Sequence, residues 1–197
     1  MWSCYGGGQK ICLIMKFIIF VFIGLFFFSC QDKERAALLD RVEEMHEMLD
    51  SMKTVADESQ IDTLHLLVEH IKQRTSVVKK YYIPDTVEYN IARMMNDYKE
   101  VRKALSTNSG NLSKVRQSIP EVKESLDNLQ HDIKHGVGER DRYEEYVDFE
   151  SQKVKKIHEI LTYYLETKEK YSSLYRETEP KINEFIEHLK SAQENQE

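Results

Sequence analysis

The stretch LSKVRQSIPEVKESLDNLQHDI, residues 112–133, decides the fold class that this sequence predicts. Its apolar side chains recur at alternating intervals of three and four residues, which places them on one face of an α-helix. A half-buried β-strand would instead alternate every two residues. The apolar positions are Leu112, Val115, Ile119, Val122, Leu126, Leu129 and Ile133. We therefore expect an amphipathic helix that packs this face against partner helices.

The same spacing continues on both sides of residues 112–133. Further apolar stripes of this kind occupy residues 38–56, 61–78, 87–105, 154–175 and 182–189. A repeat near 3.5 residues is typical of coiled coils, and long helices joined by short turns favour antiparallel neighbours. The predicted fold is therefore all-α: an elongated antiparallel helical bundle of five or six helices with coiled-coil-like heptad packing.

Residues that disfavour helix set the expected helix ends. Turn-forming residues fill three short stretches, 82–85, 106–111 and 135–138. Pro120 is expected to kink or break its helix, and Pro180 to begin the last one. Between Ala56 and Ile61 the apolar phase slips, so we expect a turn there, with one continuous helix as the alternative.

The amino-terminal segment has the pattern of a secretory leader. Met15 and Lys16 precede an unbroken apolar run over residues 17–28, and the small residue Ser29 follows. A basic start, a short apolar segment and a small residue at the cleavage point describe a signal peptide. As a helix this run would rise only about 18 Å, too little for a hydrocarbon core of about 30 Å. We predict a signal peptide over residues 15–29, with an uncleaved membrane span as the alternative.

The residues around the predicted cleavage point carry a resemblance to a known class. Phe27-Phe28-Ser29-Cys30 resembles the lipobox of bacterial lipoproteins, in the relaxed form of the Bacteroidota, although Phe27 stands where Leu is usual. The resemblance implies that Cys30 becomes the acylated first residue of the mature chain, which places the protein at the outer membrane of the cell envelope. Residues 31–34 are similar to a surface-export signal of that phylum, or else form an ordinary polar linker.

Cysteine usage agrees with this prediction. Cys4 and Cys12 lie upstream of the predicted cleavage point, so Cys30 is the single cysteine of the mature chain. A lone thiol in an oxidising compartment is a liability, whereas an acylated cysteine is not. The sequence therefore predicts four segments in chain order. They are an upstream extension (1–14), the signal peptide (15–29), the lipidated cysteine with a short tether (30–37) and one α-helical domain (38–197).

Composition and motifs argue against several function classes. With 28 Lys and Arg against 34 Asp and Glu, the chain has a net charge of −6, whereas nucleic-acid binding needs clustered basic side chains. The sequence contains neither His-Glu-x-x-His nor Gly-x-Ser-x-Gly. We therefore expect no nucleic-acid partner, no cofactor and no enzymatic activity.

A metal site is a weaker alternative. Glu43-x-x-His46 matches the Glu-x-x-His element of ferritin-like di-metal bundles, and Asp132-x-x-His135 is a distorted second copy. A di-metal centre would need these four side chains to face inward together. Because His46 lies beside its apolar stripe and His135 abuts a glycine turn, we expect solvated helix flanks.

Tyrosines suggest where a partner would bind. The predicted fifth helix carries six of the ten tyrosines that follow Ser29. Three of them, Tyr164, Tyr171 and Tyr175, fall on the apolar stripe and are expected to pack in the core. The other three, Tyr143, Tyr146 and Tyr163, are predicted to form a surface for an envelope protein or a glycan, because tyrosine is common at interfaces.

These observations predict a lipid-anchored envelope protein that acts as a non-catalytic interaction or scaffold module. The lipid on Cys30 would hold one end at the membrane, and the helices would present side chains to a partner several nanometres away. A helical carrier with a ligand pocket between its helices is the alternative.

Overall fold

The computed structural model describes the backbone of residues 8–59 and 61–194, and the side-chain surroundings of residues 33–59 and 63–194. It contains four α-helices: α1 (Gly8–Glu58), α2 (Ile61–Tyr81), α3 (Tyr89–His135) and α4 (Tyr143–Glu194). A single 3-10 turn, Arg140–Arg142, precedes α4. Since these residues contain no strand, the all-α prediction is confirmed.

The helices form a bundle that is three helices wide. Cross-helix contacts fix the relative directions of α1, α2 and α4: Arg41 reaches Asp148 over a separation of 107 residues, and His70 reaches Tyr175 over 105. Because contacting residues stay almost the same number of positions apart in the sequence, α1 and α2 advance in the same direction as α4. The second helix, α2, therefore continues the path of α1, and both run parallel to α4. In α3, Gln130 pairs with Glu43 while Arg116 reaches Ala56, so α3 runs antiparallel to α1.

The core is a continuous line of side chains along α3. Its buried positions follow the three-four spacing without interruption: Tyr98, Val101, Leu105, Asn108, Leu112, Val115, Ile119, Val122, Leu126, Leu129 and Ile133. Both α1 and α2 pack against α3 and also contact α4, and α3 and α4 pack most extensively against each other. At about 1.5 Å per residue, the 47 residues of α3 give the bundle a length of about 70 Å.

The expected five or six helices are corrected to four in the described part of the chain. The expected turn over residues 106–111 is helical, since Leu105 and Leu112 on either side of it are fully buried. Burial of this face outweighs the poor helix propensity of the residues between them. The predicted third and fourth helices are therefore one helix, α3.

Both prolines that were expected to interrupt helices lie inside them. Pro120 is within α3 and Pro180 within α4, and each sits on the exposed side of its helix. Water can bind the carbonyl group that each proline leaves without a backbone partner, and the buried face continues past it. The predicted fifth and sixth helices are accordingly one helix, α4.

The phase slip after Ala56 marks a true junction, because α1 ends at Glu58 and α2 begins at Ile61. Arg116 of α3 satisfies the carbonyl groups at the end of α1. Its guanidinium donates to the carbonyl oxygens of Ala56 and Ser59, each at 2.8 Å. Helix ends expose unpaired carbonyls, so this arginine adds to the capping that Ser59 provides through its own N–H and hydroxyl.

The turn between α3 and α4 ends its helix with glycine, as the sequence predicts. Gly136 has a φ of 65° and a ψ of 40°, a left-handed conformation that favours glycine, and its N–H donates to the carbonyl oxygen of Asp132. Leu38 of α1 lies beside this turn, near Ile133. We call this the leader-proximal end of the bundle.

Substitution of Leu126 tests the buried stripe of α3. This side chain has no exposed surface, so Leu126→Asp would bury an unpaired carboxylate and should lower the free energy of unfolding by about 4 kcal/mol. Asn128 lies two residues away on the exposed side, and Asn128→Asp should change it by about 0.5 kcal/mol or less. Urea denaturation measures both, and equal losses would contradict the assignment of the core.

Candidate functional site

Among the predicted surface tyrosines, Tyr143 requires a correction. It is only 7% exposed, and its hydroxyl donates to the carbonyl oxygens of Val137 and Asp132, at 2.6 and 2.9 Å. The ring closes the turn between α3 and α4 from inside, so it cannot present a surface to a partner. The buried stripe of α4 starts eleven residues earlier than the predicted stripe at Val154, and Tyr143 is its first member.

The other two predicted tyrosines occupy different surroundings. Tyr146 is partly buried, its hydroxyl lies 3.3 Å from a Glu139 carboxylate oxygen, and the Arg142 guanidinium stacks over its ring. Tyr163 is 59% exposed and makes no hydrogen bond within the described residues. The three predicted tyrosines therefore do not form one surface, and Tyr163 is the most exposed of them.

The four residues of the metal alternative are not brought together. Glu43 accepts a hydrogen bond from Gln130, and His46 lies 3.4 Å from Asp127. His135 contacts the carbonyl oxygen of His131, one turn earlier on the same helix. Within the described residues, no three His, Cys, Asp or Glu side chains are grouped so that they could hold a metal ion.

Cys30 lies in the part of α1 whose side chains are outside the described residues, so its lipidation remains a prediction. Residues 33–37 continue α1, and the division between a tether and a domain at residue 38 remains a prediction as well. Over the described residues, no helix combines the length and the apolarity that a membrane span requires.

A polar cluster that the sequence did not reveal joins α2, α3 and α4. Glu179 of α4 accepts a hydrogen bond from the Tyr98 hydroxyl and lies 3.6 Å from Nε of Arg74 and 3.8 Å from Nε2 of His70. Tyr175 completes the cluster, because its hydroxyl is 2.9 Å from Nδ1 of His70 and its ring stacks on that of Tyr98. The carboxylate thus holds the three helices together at one level.

Burial shapes the ionisation of the two tyrosines. Burial, and then the hydrogen bond and charge of Glu179, raise the pKa of Tyr98 far above its usual value. Burial and the nearby Glu179 carboxylate raise the pKa of Tyr175 to about 12. Both hydroxyls are therefore protonated at neutral pH and serve as hydrogen-bonding groups. The cluster has no nucleophile beside a general base, so its geometry indicates a structural role.

The opposite end of the bundle from the leader-proximal end carries an apolar loop. We define the distal loop as residues 82–89, which comprise the connection between α2 and α3 and the first residue of α3. The Tyr82 ring packs edge-on against Phe185 of α4 at 5.2 Å, and the N–H of Glu88 donates to the Tyr82 hydroxyl at 3.3 Å. These contacts fix the loop, and yet Ile83 is 85% exposed and Tyr89 is 77% exposed. Exposed apolar side chains grouped in this way are typical of an interaction site.

Comparison with known proteins adds no family to this description. No protein family, curated protein or solved structure matches the chain significantly. The function must therefore be inferred from the arrangement of the residues themselves.

The sequence contained a signal for the burial of Tyr143 and another for the exposure of the distal loop. Tyr143 lies at three- and four-residue steps from Tyr164, through Val147, Glu150, Val154, Ile157 and Leu161. The exposure of the distal loop could have been inferred from Ile83 and Pro84, since an apolar residue beside a helix-ending proline has few neighbours to cover it. For the Glu179 cluster no such signal exists, because its five members are brought together only by the register of three helices.

Alkaline pH should destabilise the fold through the Glu179 cluster. In the unfolded chain Tyr98 and Tyr175 lose their protons near pH 10, whereas in the folded protein they hold them to higher pH. Their contribution to stability is complete below about pH 10 and is lost as the pH rises towards about 12. Unfolding free energies measured by urea titration across this range should therefore fall.

Phenylalanine substitutions separate this effect from general alkaline unfolding. The double variant Tyr98→Phe/Tyr175→Phe should be less stable than wild type near neutral pH, yet lose less stability between about pH 9 and pH 11. Tyr163→Phe, at an exposed position, should retain the wild-type pH dependence. Parallel curves for wild type and the double variant would contradict this role of the two hydroxyls.

Proposed function

We propose that this chain is a lipid-anchored, non-catalytic interaction module of the bacterial cell envelope. The lipid on Cys30 holds the leader-proximal end of the bundle at the outer membrane. The distal loop then binds an envelope protein, with the helices acting as a spacer between the two. The coiled-coil-like heptad packing that the apolar spacing predicts would make this spacer stiff.

One observation carries this proposal: the distal loop lies at the far end of the bundle from the point where the leader joins. The residues that follow the leader, around Leu38, lie beside the turn between α3 and α4. The distal loop is separated from that turn by the whole of α3, about 70 Å. A membrane anchor and an exposed apolar loop so far apart favour tethering over catalysis.

The filled interior supports an interaction module over a carrier. At every level of α3 from Tyr98 to Ile133, a buried side chain occupies the space between the helices. The single polar residue in that series, Asn108, is hydrogen-bonded to α4. A carrier that encloses its ligand would need a cavity between the helices, and these side chains take up that space.

The anchor is tested by replacing Cys30. Cys30→Ala should abolish incorporation of a labelled fatty acid and release the protein from the membrane fraction. Cys12→Ala is the matched control, since it removes a cysteine upstream of Met15 and should leave labelling and fractionation unchanged. If Cys30→Ala remains in the membrane fraction, the apolar leader is an uncleaved span and the lipid anchor is wrong.

The distal loop is tested by a photo-crosslinking residue placed at Ile83 in native envelopes. The same residue at Leu66 is the control, because Leu66 is also exposed but lies near the start of α2, whereas the loop follows the end of that helix. We expect a discrete cross-linked protein from position 83 and none from position 66. Equal adducts from both positions, or none from position 83, would contradict a partner site at the loop.

A further inference from the structure

A groove between α3 and α4 lies midway along the bundle, separate from the distal loop. Its volume is about 250 Å³. Thr107, Asn108 and Asn111 line part of its α3 side, and they belong to the stretch of residues 106–111, which combines small and polar side chains of low helix propensity. These residues disfavour a helix, and yet the helix contains them for nearly two turns. Segments whose sequence disagrees with their local structure in this way are often found at functional sites.

The floor of the groove is rigid. Asn108 is buried, and its Nδ2 donates to the carbonyl oxygen of Tyr164 at 2.8 Å, which ties α3 to α4 at this level. Asn111, one turn later, donates to Oδ1 of Asn108 at 3.3 Å. Its own carboxamide oxygen has no partner within the described residues, so Asn111 offers an oriented acceptor to the groove.

The hydroxyl group of a threonine also lines this groove. Thr167 of α4 is only 9% exposed, and it makes no hydrogen bond within the described part of the chain. Four other helical threonines, Thr54, Thr75, Thr107 and Thr178, donate to the carbonyl oxygen four residues earlier. The Thr167 hydroxyl forms no such bond and its oxygen is not fully enclosed, so it can hydrogen-bond to a ligand that enters the groove.

Two tyrosine rings flank Thr167 on the same face of α4. Tyr163 lies one turn before it and Tyr171 one turn after it, which places the two about 12 Å apart along the axis. The Tyr163 ring is exposed, and Lys170 covers one face of the Tyr171 ring, with its ammonium 5.3 Å from the ring centre. Aromatic faces carry negative charge density and attract the C–H groups of a ligand that lies flat on them.

The charges around the groove are balanced. Glu100 and Lys103 line its α3 side, and neither forms an ion pair within the described residues. One charge of each sign leaves the groove close to neutral. A phosphate or nucleotide ligand would require grouped basic side chains, and an apolar ligand would require a lining without hydroxyl and amide groups.

We propose that this groove binds a neutral saccharide of one or two sugar rings. The Tyr163 ring would stack on the C–H face of a sugar, while Thr167 and Asn111 hydrogen-bond to its hydroxyl groups. The volume lies just below the range of about 300–1,000 Å³ that encloses drug-sized ligands, which suits a small ligand. This site depends on neither the lipid anchor nor the distal loop.

Saturation-transfer NMR tests the site with three disaccharides, maltose, cellobiose and N,N′-diacetylchitobiose. The full chain is kept in a detergent without a sugar headgroup, so that the detergent cannot compete. We expect saturable binding of at least one disaccharide. Tyr163→Ala and Thr167→Val should each weaken it about tenfold or more, while their melting temperatures stay close to that of wild type. Tyr89→Ala, at the distal loop, is the control and should bind as wild type does.

Each other outcome overturns the proposal. If wild type binds none of the three disaccharides, the groove is not a site for neutral saccharides. If Tyr163→Ala and Thr167→Val bind as tightly as wild type, any binding lies elsewhere. If a neutral octapeptide of alanine and serine binds instead, and both substitutions weaken it, the groove is a peptide site. None of these results bears on the cross-linking at Ile83, so the distal loop is judged independently.

Discussion

Burial of one face of α3 is the constraint on which the rest of the structure depends. From Tyr98 to Ile133, every step of three or four residues presents a side chain that the neighbouring helices must cover. Both α1 and α2 pack against α3, which runs past the junction between them. The break between α1 and α2 is tolerated for this reason, because each piece finds the same continuous surface.

The polar residues along this face determine the register of the helices. Apolar side chains alone would accept a shift of one heptad between α3 and α4 at modest cost. Asn108 would then lose its hydrogen bond to Tyr164, and Tyr98 its hydrogen bond to Glu179. A single buried polar residue can specify register in this way in coiled coils, and here two such contacts lie almost three turns apart along α3.

Arg116 adds a constraint of the same kind on the other side of α3. Its guanidinium reaches the carbonyl oxygens at the end of α1, so α1 can end only where this arginine lies. The junction between α1 and α2 is therefore positioned from α3 and not by the short linking sequence alone. A polar contact from a neighbouring helix thus helps to set the junction between α1 and α2, whereas the Gly136 turn ends α3.

The sequence sufficed for the fold class and for most of the core, because a spacing of three and four residues is readable without knowledge of neighbours. The helix ends were predicted wrongly where the local helix propensity of a residue disagrees with the burial of the face around it. Four residues disfavour a helix locally and yet lie within one, because the buried face of the helix continues past them. They are Asn108, Gly110 and Pro120 in α3, and Pro180 in α4. Tyr143 was misplaced because the stripe of α4 was started too late, at Val154. The Glu179 cluster and the Thr167 groove depend on which residues of different helices meet, and no spacing within one helix contains that information.

The path of the chain through three columns has a topological consequence. The first column is formed by α1 and α2 end to end, the second returns along α3, and the third runs outward again along α4. With an odd number of columns, the point where the chain enters the bundle at the leader-proximal end and the end of α4 at Glu194 lie at opposite ends of the bundle. A domain fused after α4 would consequently be displayed beside the distal loop. A circular permutation would need a linker long enough to run the length of the molecule.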